Sequence, residues 1–172
     1  NPKQTARALE GGWLHTGDIG RFDDGGRIVI TGRKKDIIVS DKGDTISPQK
    51  IEGMLTRTGR IAQAAVFGDR RPYLVALVVP DSDWAVGWAQ DNGEAVDLAR
   101  LQDLPAFRDA VREALDEANA RLGPAEKVRR FAFADEAFTI DNGELTPTLK
   151  VRRHVLRDRY GAHTQRAQWL RF

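Results

Sequence analysis

Tyr73-Leu74-Val75-Ala76-Leu77-Val78-Val79 is almost continuously apolar and is bounded by Gly68-Asp69-Arg70-Arg71-Pro72 before it and Pro80 after it. A run this short cannot cross a bilayer, and without polar alternation it has no side to give to water. It reads as a strand buried on both faces at the centre of a small sheet. Such a strand needs other elements on both of its faces, and a hydrophobic content of 41% is enough to supply them. A β-type run at 61–67 precedes it, and 128–134 alternates as a further strand. Between them, Trp84 and Trp88 stand four apart as helix packing residues. Phe107, Ala110, Val111, Ala114, Leu115, Ala118 and Leu122 fall at helical spacing until Gly123-Pro124. Ser47-Pro48 opens another helix, with Ser47 expected as its cap, Ile51, Met54 and Leu55 on one face, and Gly59 as its stop. A basic helix is expected at 151–160. The fold class is α+β, a small β-sheet packed with helices.

A separate strip precedes this body. Residues 1–10 read as a short helix ended by Gly11-Gly12, followed by a punctuated loop through Asp18. The β-type runs 19–22 and 27–31 flank Asp23-Asp24-Gly25-Gly26 and predict a β-hairpin. Gly32-Arg33-Lys34-Lys35 follows without an apolar anchor and reads as a polar connector, which divides the chain into 1–32 and 33–172. Beyond it, Ile37-Ile38-Val39 and the polar loop 41–45 lead to Ile46.

Composition narrows the chemistry. With no cysteine there is no disulfide, thiolate nucleophile or sulfur zinc site. The three histidines, His15, His154 and His163, have no second ligand at metal spacing, so no metal site is expected within the chain. No apolar run approaches membrane-spanning length and the first residues carry no hydrophobic signal region, so a cytosolic or membrane-peripheral location is expected. The chain begins at Asn1 and its single methionine is Met54, so it is expected to be a piece of a longer protein. Net charge is only +2, but Lys150, Arg152, Arg153, Arg157, Arg159, Arg166 and Arg171 gather near the end with Asp158 as the one acid among them. A basic stretch of this kind attracts phosphates.

Three segments carry a family resemblance. Gly12-Trp13-Leu14-His15-Thr16-Gly17-Asp18, Gly32-Arg33-Lys34-Lys35-Asp36-Ile37-Ile38 and Leu145-Thr146-Pro147-Thr148-Leu149-Lys150 occur in order, separated by a hairpin and a small α+β body. In this the sequence resembles the adenylate-forming enzymes, the superfamily of acyl-CoA synthetases, luciferases and peptide-synthetase adenylation domains. The resemblance implies that Asp18 holds the ribose of ATP or AMP, a task for which two carboxylate oxygens suit two adjacent hydroxyls. It makes Arg33 nucleotide-binding, Lys35 the hinge between two domain orientations and Lys150 the catalytic lysine of adenylation. Many relatives have Ser-Gly-Gly-Lys-Asn where this chain has Asp41-Lys42-Gly43-Asp44-Thr45, and Gly43 is the remaining candidate for the pantetheine tunnel. Other branches commonly have Gly before the lysine, so Leu149 and the stretch from Trp84 to Lys150 look like the long-chain fatty acyl-CoA synthetases.

What the resemblance implies is a two-step ligase. ATP, with Mg2+, and a fatty acid give acyl-adenylate, and CoA then displaces AMP. Residues 1–32 would be the tail end of a large N-terminal domain and 33–172 a mobile C-terminal domain, whose main partner is that missing N-terminal domain. The family's glycine-rich phosphate loop is absent, so the chain alone is expected not to adenylate. Arg152, Arg153 or Arg157 would meet the CoA nucleotide phosphates. The alternatives are another adenylate-forming enzyme's C-terminal domain, a docking domain, and a basic phosphate- or nucleic-acid-binding module. No aromatic platform accompanies the arginines, so nucleic acid is not the expected partner.

Overall fold

The computed structural model describes residues 1–163. Arg166 and Arg171 of the basic stretch lie outside the described residues. The core sheet holds β5 (Ile61–Phe67), β6 (Leu74–Pro80) and β7 (Val128–Phe133), with β6 in the middle. It pairs antiparallel with β5 and parallel with β7. All seven residues of β6 are buried, which is the outcome expected of a strand without polar alternation.

The period of two along β6 divides the interior into two cores. Leu74, Ala76 and Val78 face α2 (Pro48–Thr56), α3 (Ser82–Asp91) and α5 (Pro105–Ala120), packing among Ile51, Leu55, Ala85, Phe107, Val111 and Leu115. Trp84 and Trp88 pack against Phe107 with ring centroids 5.2 and 5.1 Å away. Val75, Leu77 and Val79 face the segment that follows β7, through Phe138, Leu145, Leu156 and Tyr160. The last helix, α6, runs Arg153–His163, two residues later than expected because Val151 is held in a bridge to Leu145. A short helix, α4 (Leu98–Leu101), adds Leu101 to the first core and carries no clear periodic signal in the sequence.

At the start, α1 (Pro2–Ala8) precedes the hairpin of β1 (Asp18–Phe22) and β2 (Ile28–Arg33). The expected connector is not an open linker. Gly32 and Arg33 belong to β2, and a 3-10 turn spans Lys34–Asp36. Two residues, β3 (Ile38–Val39), then pair antiparallel with β4 (Thr45–Ile46), closing the polar loop as a second, small hairpin.

Ser47 corrects an expectation. Its hydroxyl does not cap α2; Oγ donates to the Thr31 carbonyl at 2.8 Å, tying the helix to β2. Gly32 is buried at this crossing, where a Cβ would stand 3.2 Å from Ser47 Oγ. The absence of a side chain lets the hairpin strand lie close to the start of α2.

Candidate functional site

An open cleft of about 1200 Å³ lies where β1 and β2 meet α2 and the loop before α6. Asp18, Arg33 and Lys150 all line it, although 117 residues separate Arg33 from Lys150 in the numbering. Asp18 and Arg33 are partners in the β1–β2 register. Their side chains form an ion pair, Arg33 Nε to Asp18 Oδ1 at 2.6 Å, and Arg33 Nη1 also donates to the Thr16 carbonyl at 3.2 Å. The Lys34 amide donates to the Gly17 carbonyl at 2.8 Å, so the first two motifs are joined by main chain as well. A carboxylate and a guanidinium thus stand together at the cleft wall, one an acceptor for hydroxyls and the other a planar donor for oxyanions.

Lys150 reaches the same cleft from the loop before α6. Residues 145–151 form a tight loop whose neck is the Leu145–Val151 bridge. Within it the Thr146 amide donates to the Lys150 carbonyl at 2.9 Å, and the Lys150 amide donates to Thr146 Oγ1 at 3.1 Å. Lys150 itself is exposed and makes no ion pair among the described residues. Leu149 sits at φ +57°, in the left-handed region that Gly adopts without strain. This turn geometry gives a physical reason for a Gly before the lysine.

Lys35 lines a second, adjoining cleft of about 610 Å³, together with Arg33, Lys150, His154 and Arg157. Arg152 and Arg153 border it too, but both serve the fold. Arg152 Nη1 donates to the Gly143 carbonyl at 3.0 Å, and Arg153 pairs with Glu52 of α2. Arg157 is exposed and without an ion pair among the described residues, so of the three arginines it has the most donors to spare. Gly43 does not line either cleft. It lies exposed in the turn of the β3–β4 hairpin at φ +88°, where its conformational freedom serves the turn. Among the described residues no group of His, Cys, Asp or Glu is placed to hold a metal ion.

Behind the Lys150 loop lies a polar cluster that the sequence does not reveal. Glu144 is fully buried, and Arg159 Nη1 donates to its Oε1 at 2.9 Å. Arg159 Nη2 also pairs with Glu136 at 2.8 Å, and Asn142 Nδ2 reaches Glu144 Oε2 at 3.2 Å. Burial pushes the Glu144 carboxyl above its ordinary range, against the opposing pull of Arg159. Its hydrogen bond from Arg159 holds Glu136 below the usual range. Desolvation raises the neighbouring Tyr160 phenol to about 12. A lone Glu in the polar turn beginning at Asp141 looks solvated, and its partner Arg159 is fifteen residues further on. No local pattern connects them.

A mixed sheet covered on two faces, a preceding hairpin and a lysine loop that shares a cleft with an Asp–Arg pair are the features a relative of this chain has to match. A model of the AMP-binding enzyme C-terminal domain matches residues 35–162, and the chain belongs to that family. Among curated proteins it is 40% identical over 167 residues to the long-chain-fatty-acid–CoA ligase FadD15 of Mycobacterium tuberculosis, covering 94% of this chain and 27% of that protein. It is 40% identical over 166 residues to human long-chain-fatty-acid–CoA ligase 1, covering 92% of this chain and 23% of the ligase. The chain thus spans about a quarter of the length of these relatives. Among solved structures, the adenylation domain of a carboxylate reductase from Mycobacterium chelonae aligns with TM-score 0.77 at 26% identity, over 93% of this chain and 24% of that one. The adenylation and carrier didomain of a Segniliparus rugosus carboxylic acid reductase, solved in complex with AMP, aligns with TM-score 0.70 at 30% identity, over 93% of this chain and 21% of that one. No helix among the described residues is long and apolar enough to cross a membrane.

Proposed function

We propose that this chain is the C-terminal portion of a long-chain fatty acid–CoA ligase and that it supplies the lysine of adenylate formation. The observation that carries the reading is the convergence of Asp18, Arg33 and Lys150 on one cleft. The identity to ligases of that name supports the substrate class, and the AMP complex of the Segniliparus relative supports the nucleotide.

In the first half-reaction a fatty acid carboxylate oxygen bonds to the α-phosphorus of ATP and pyrophosphate leaves. Negative charge gathers on the non-bridging oxygens as this happens. The exposed ammonium of Lys150, brought against both reactants, stabilises that charge more than it stabilises the ground state. Asp18 accepts from the ribose hydroxyls and Arg33 donates to the nucleotide, so their mutual ion pair opens or is shared as the nucleotide binds. In the second half-reaction the CoA sulfur bonds to the acyl carbonyl carbon and AMP leaves. Mg2+ accompanies ATP as part of the substrate, and no residue cluster of this chain is assigned to it.

One site serves both steps if the body after the hairpin turns about Lys35, which is exposed in the short 3-10 turn after β2. The tunnel role of Gly43 and a CoA phosphate contact at Arg157 belong to the second orientation. Residues 1–32 are assigned to the end of the larger domain. Supporting this division, Trp13, Leu14, Phe22, Ile28 and Ile30 are at least 61% exposed and need apolar cover, and the family match starts at residue 35. The same reading has the ligase act in the cytosol or at a membrane surface.

The reading is tested in the full-length ligase by fatty-acid-dependent exchange of pyrophosphate into ATP. Asp18→Ala and Arg33→Ala are each expected to raise the ATP requirement by about tenfold or more, the loss of one or two charge-assisted hydrogen bonds. Unchanged ATP dependence in both variants would remove the cleft from nucleotide binding.

A further inference from the structure

The Lys150 loop is held at its neck by main-chain bonds and by side chains, Glu144 and Arg159 among them, that do not line the cleft. Leu145 and Val151 bridge across the neck, the Arg152 amide donates to the Glu144 carbonyl at 2.8 Å, and Arg152 Nη1 reaches the Gly143 carbonyl at 3.0 Å. Both ends of the loop therefore converge on Glu144. Its side chain, fully buried, is bound to Arg159 of α6 and to Asn142, and Asn142 in turn closes the preceding turn with bonds of 3.0 Å to and from Thr139. Upstream, Gln63 of β5 grips the Phe138 main chain in both directions, at 2.9 and 2.7 Å. The segment leading into the loop is thus fastened to the sheet through Gln63 and to α6 through the Glu144–Arg159 pair.

An ion pair that buries its carboxylate completely, as Glu144 does while Arg159 keeps 38% exposure, is a poor choice for stability alone. Replacing such a pair with apolar side chains of similar volume is often neutral or stabilising, because desolvation offsets the attraction between the charges. Around Glu144 the interior already consists of Phe138, Leu145, Leu156 and Tyr160, so an apolar residue would extend that core. What the charged pair adds is direction. A carboxylate bound on both oxygens by Arg159 and Asn142 admits one placement of the neck, whereas apolar contacts admit several.

We propose that Glu144 and Arg159 are positioning residues for adenylation, fixing the loop that presents Lys150. This inference rests on the function proposed above. Neither residue lines the cleft, so neither contacts substrate in this arrangement. The test compares the full-length ligase with its Glu144→Leu/Arg159→Leu double variant in the two half-reactions measured separately, with Lys150→Ala as a control. The double variant is expected to unfold at the same temperature as wild type or higher. It is expected to lose roughly tenfold to a hundredfold in kcat for adenylation, the effect of a displacement near 1 Å at a reacting group. Its ATP KM and its thioester formation from preformed acyl-adenylate should stay at wild-type values.

Adenylation within twofold of wild type, with Lys150→Ala inactive in that step, would overturn the inference and leave the proposed function standing. Equal losses in both half-reactions would make the pair a support of the fold alone and would also overturn it. Full adenylation by Lys150→Ala would instead remove the proposed function itself. Should the double variant fail to fold, hydrogen exchange in Glu144→Gln gives the second reading. Faster exchange of the Thr146 and Arg152 amides with β5 and β6 unchanged supports the inference, and wild-type exchange at both amides overturns it.

Discussion

On one face of the β5–β6–β7 sheet, Leu74, Ala76 and Val78 meet the apolar residues of α2, α3 and α5, with Phe107 ringed by Trp84, Trp88 and Phe133; on the other, Val75, Leu77 and Val79 lie under a covering that buries Glu144. The same strand supports both, one residue in two to each side. The helical face is held mainly by area removed from water, which has no preferred direction and tolerates small shifts, with Asn119 of α5 fastening that helix to the Val128 main chain. The other face carries the loop with Lys150, and there polar bonds between residues 63 and 138, 142 and 144, and 144 and 159 set positions as well as burial. Stability and placement are thus concentrated on opposite sides of one sheet.

The contrast is broken most severely at Phe107, which is fully buried. Phe107→Ala is expected to cost about 3–5 kcal/mol of stability. The molecules that remain folded should retain wild-type kinetic constants for adenylation, and a specific loss of that step would show that the helical face also guides the loop. On the opposite face, Tyr160 supplies a pH signature. Its phenol ionises near 10.0 in the unfolded chain but is pushed up to about 12 in the folded one. The folded state therefore holds the proton longer, so the contribution is intact below pH 10 and is lost as pH rises through about 12. On the order of 2 kcal/mol is at stake. Stability measured by urea unfolding at stepped pH should fall more steeply in wild type than in Tyr160→Phe over that window. Parallel curves would show that the hydroxyl is not desolvated.

The smallest effect is local to the loop. Leu149 at φ +57° carries backbone strain that Gly would not. Leu149→Gly is expected to gain up to about 1 kcal/mol, the relief being reduced by the freer unfolded chain. A raised urea midpoint with unchanged slope is the expected record. A lowered midpoint would mean that the exposed Leu149 side chain contributes packing that outweighs the strain.

How much of this was legible depends on where each residue's partners lie along the chain. Six of the seven buried residues of β6 follow from its continuous apolar run, and the face of α5 through Phe107, Val111, Ala114, Leu115 and Ala118 from periodicity, because each pattern is contained in its own segment; Pro80, expected as the strand's boundary, is its last residue. The role of Ser47 is not legible, because a hydroxyl before a helix can either accept from the helix amides or donate to a carbonyl elsewhere, and the Thr31 carbonyl that decides between them lies sixteen residues earlier. The β3–β4 hairpin escaped notice because two-residue strands have no period. Asp18, Arg33 and Lys150 are legible as motifs, but their spacing in sequence says nothing of a shared cleft; the β1–β2 pairing joins the first two, the Ser47–Thr31 bond holds that hairpin to α2, and the Leu145–Val151 neck presents the third. Glu144 gives no sign of its burial and Arg159 reads only as part of the basic stretch, since a buried charge is recognised by its surroundings and not by its identity.

The most direct measurement is made on the full-length ligase with Lys150→Ala, trapping acyl-adenylate with hydroxylamine in one assay and supplying preformed acyl-adenylate with CoA in the other. The account predicts that adenylate formation falls roughly a hundredfold or more while thioester formation keeps its wild-type rate. Survival of both half-reactions would contradict it, leaving Lys150 a surface lysine on a fold whose chemistry lies elsewhere.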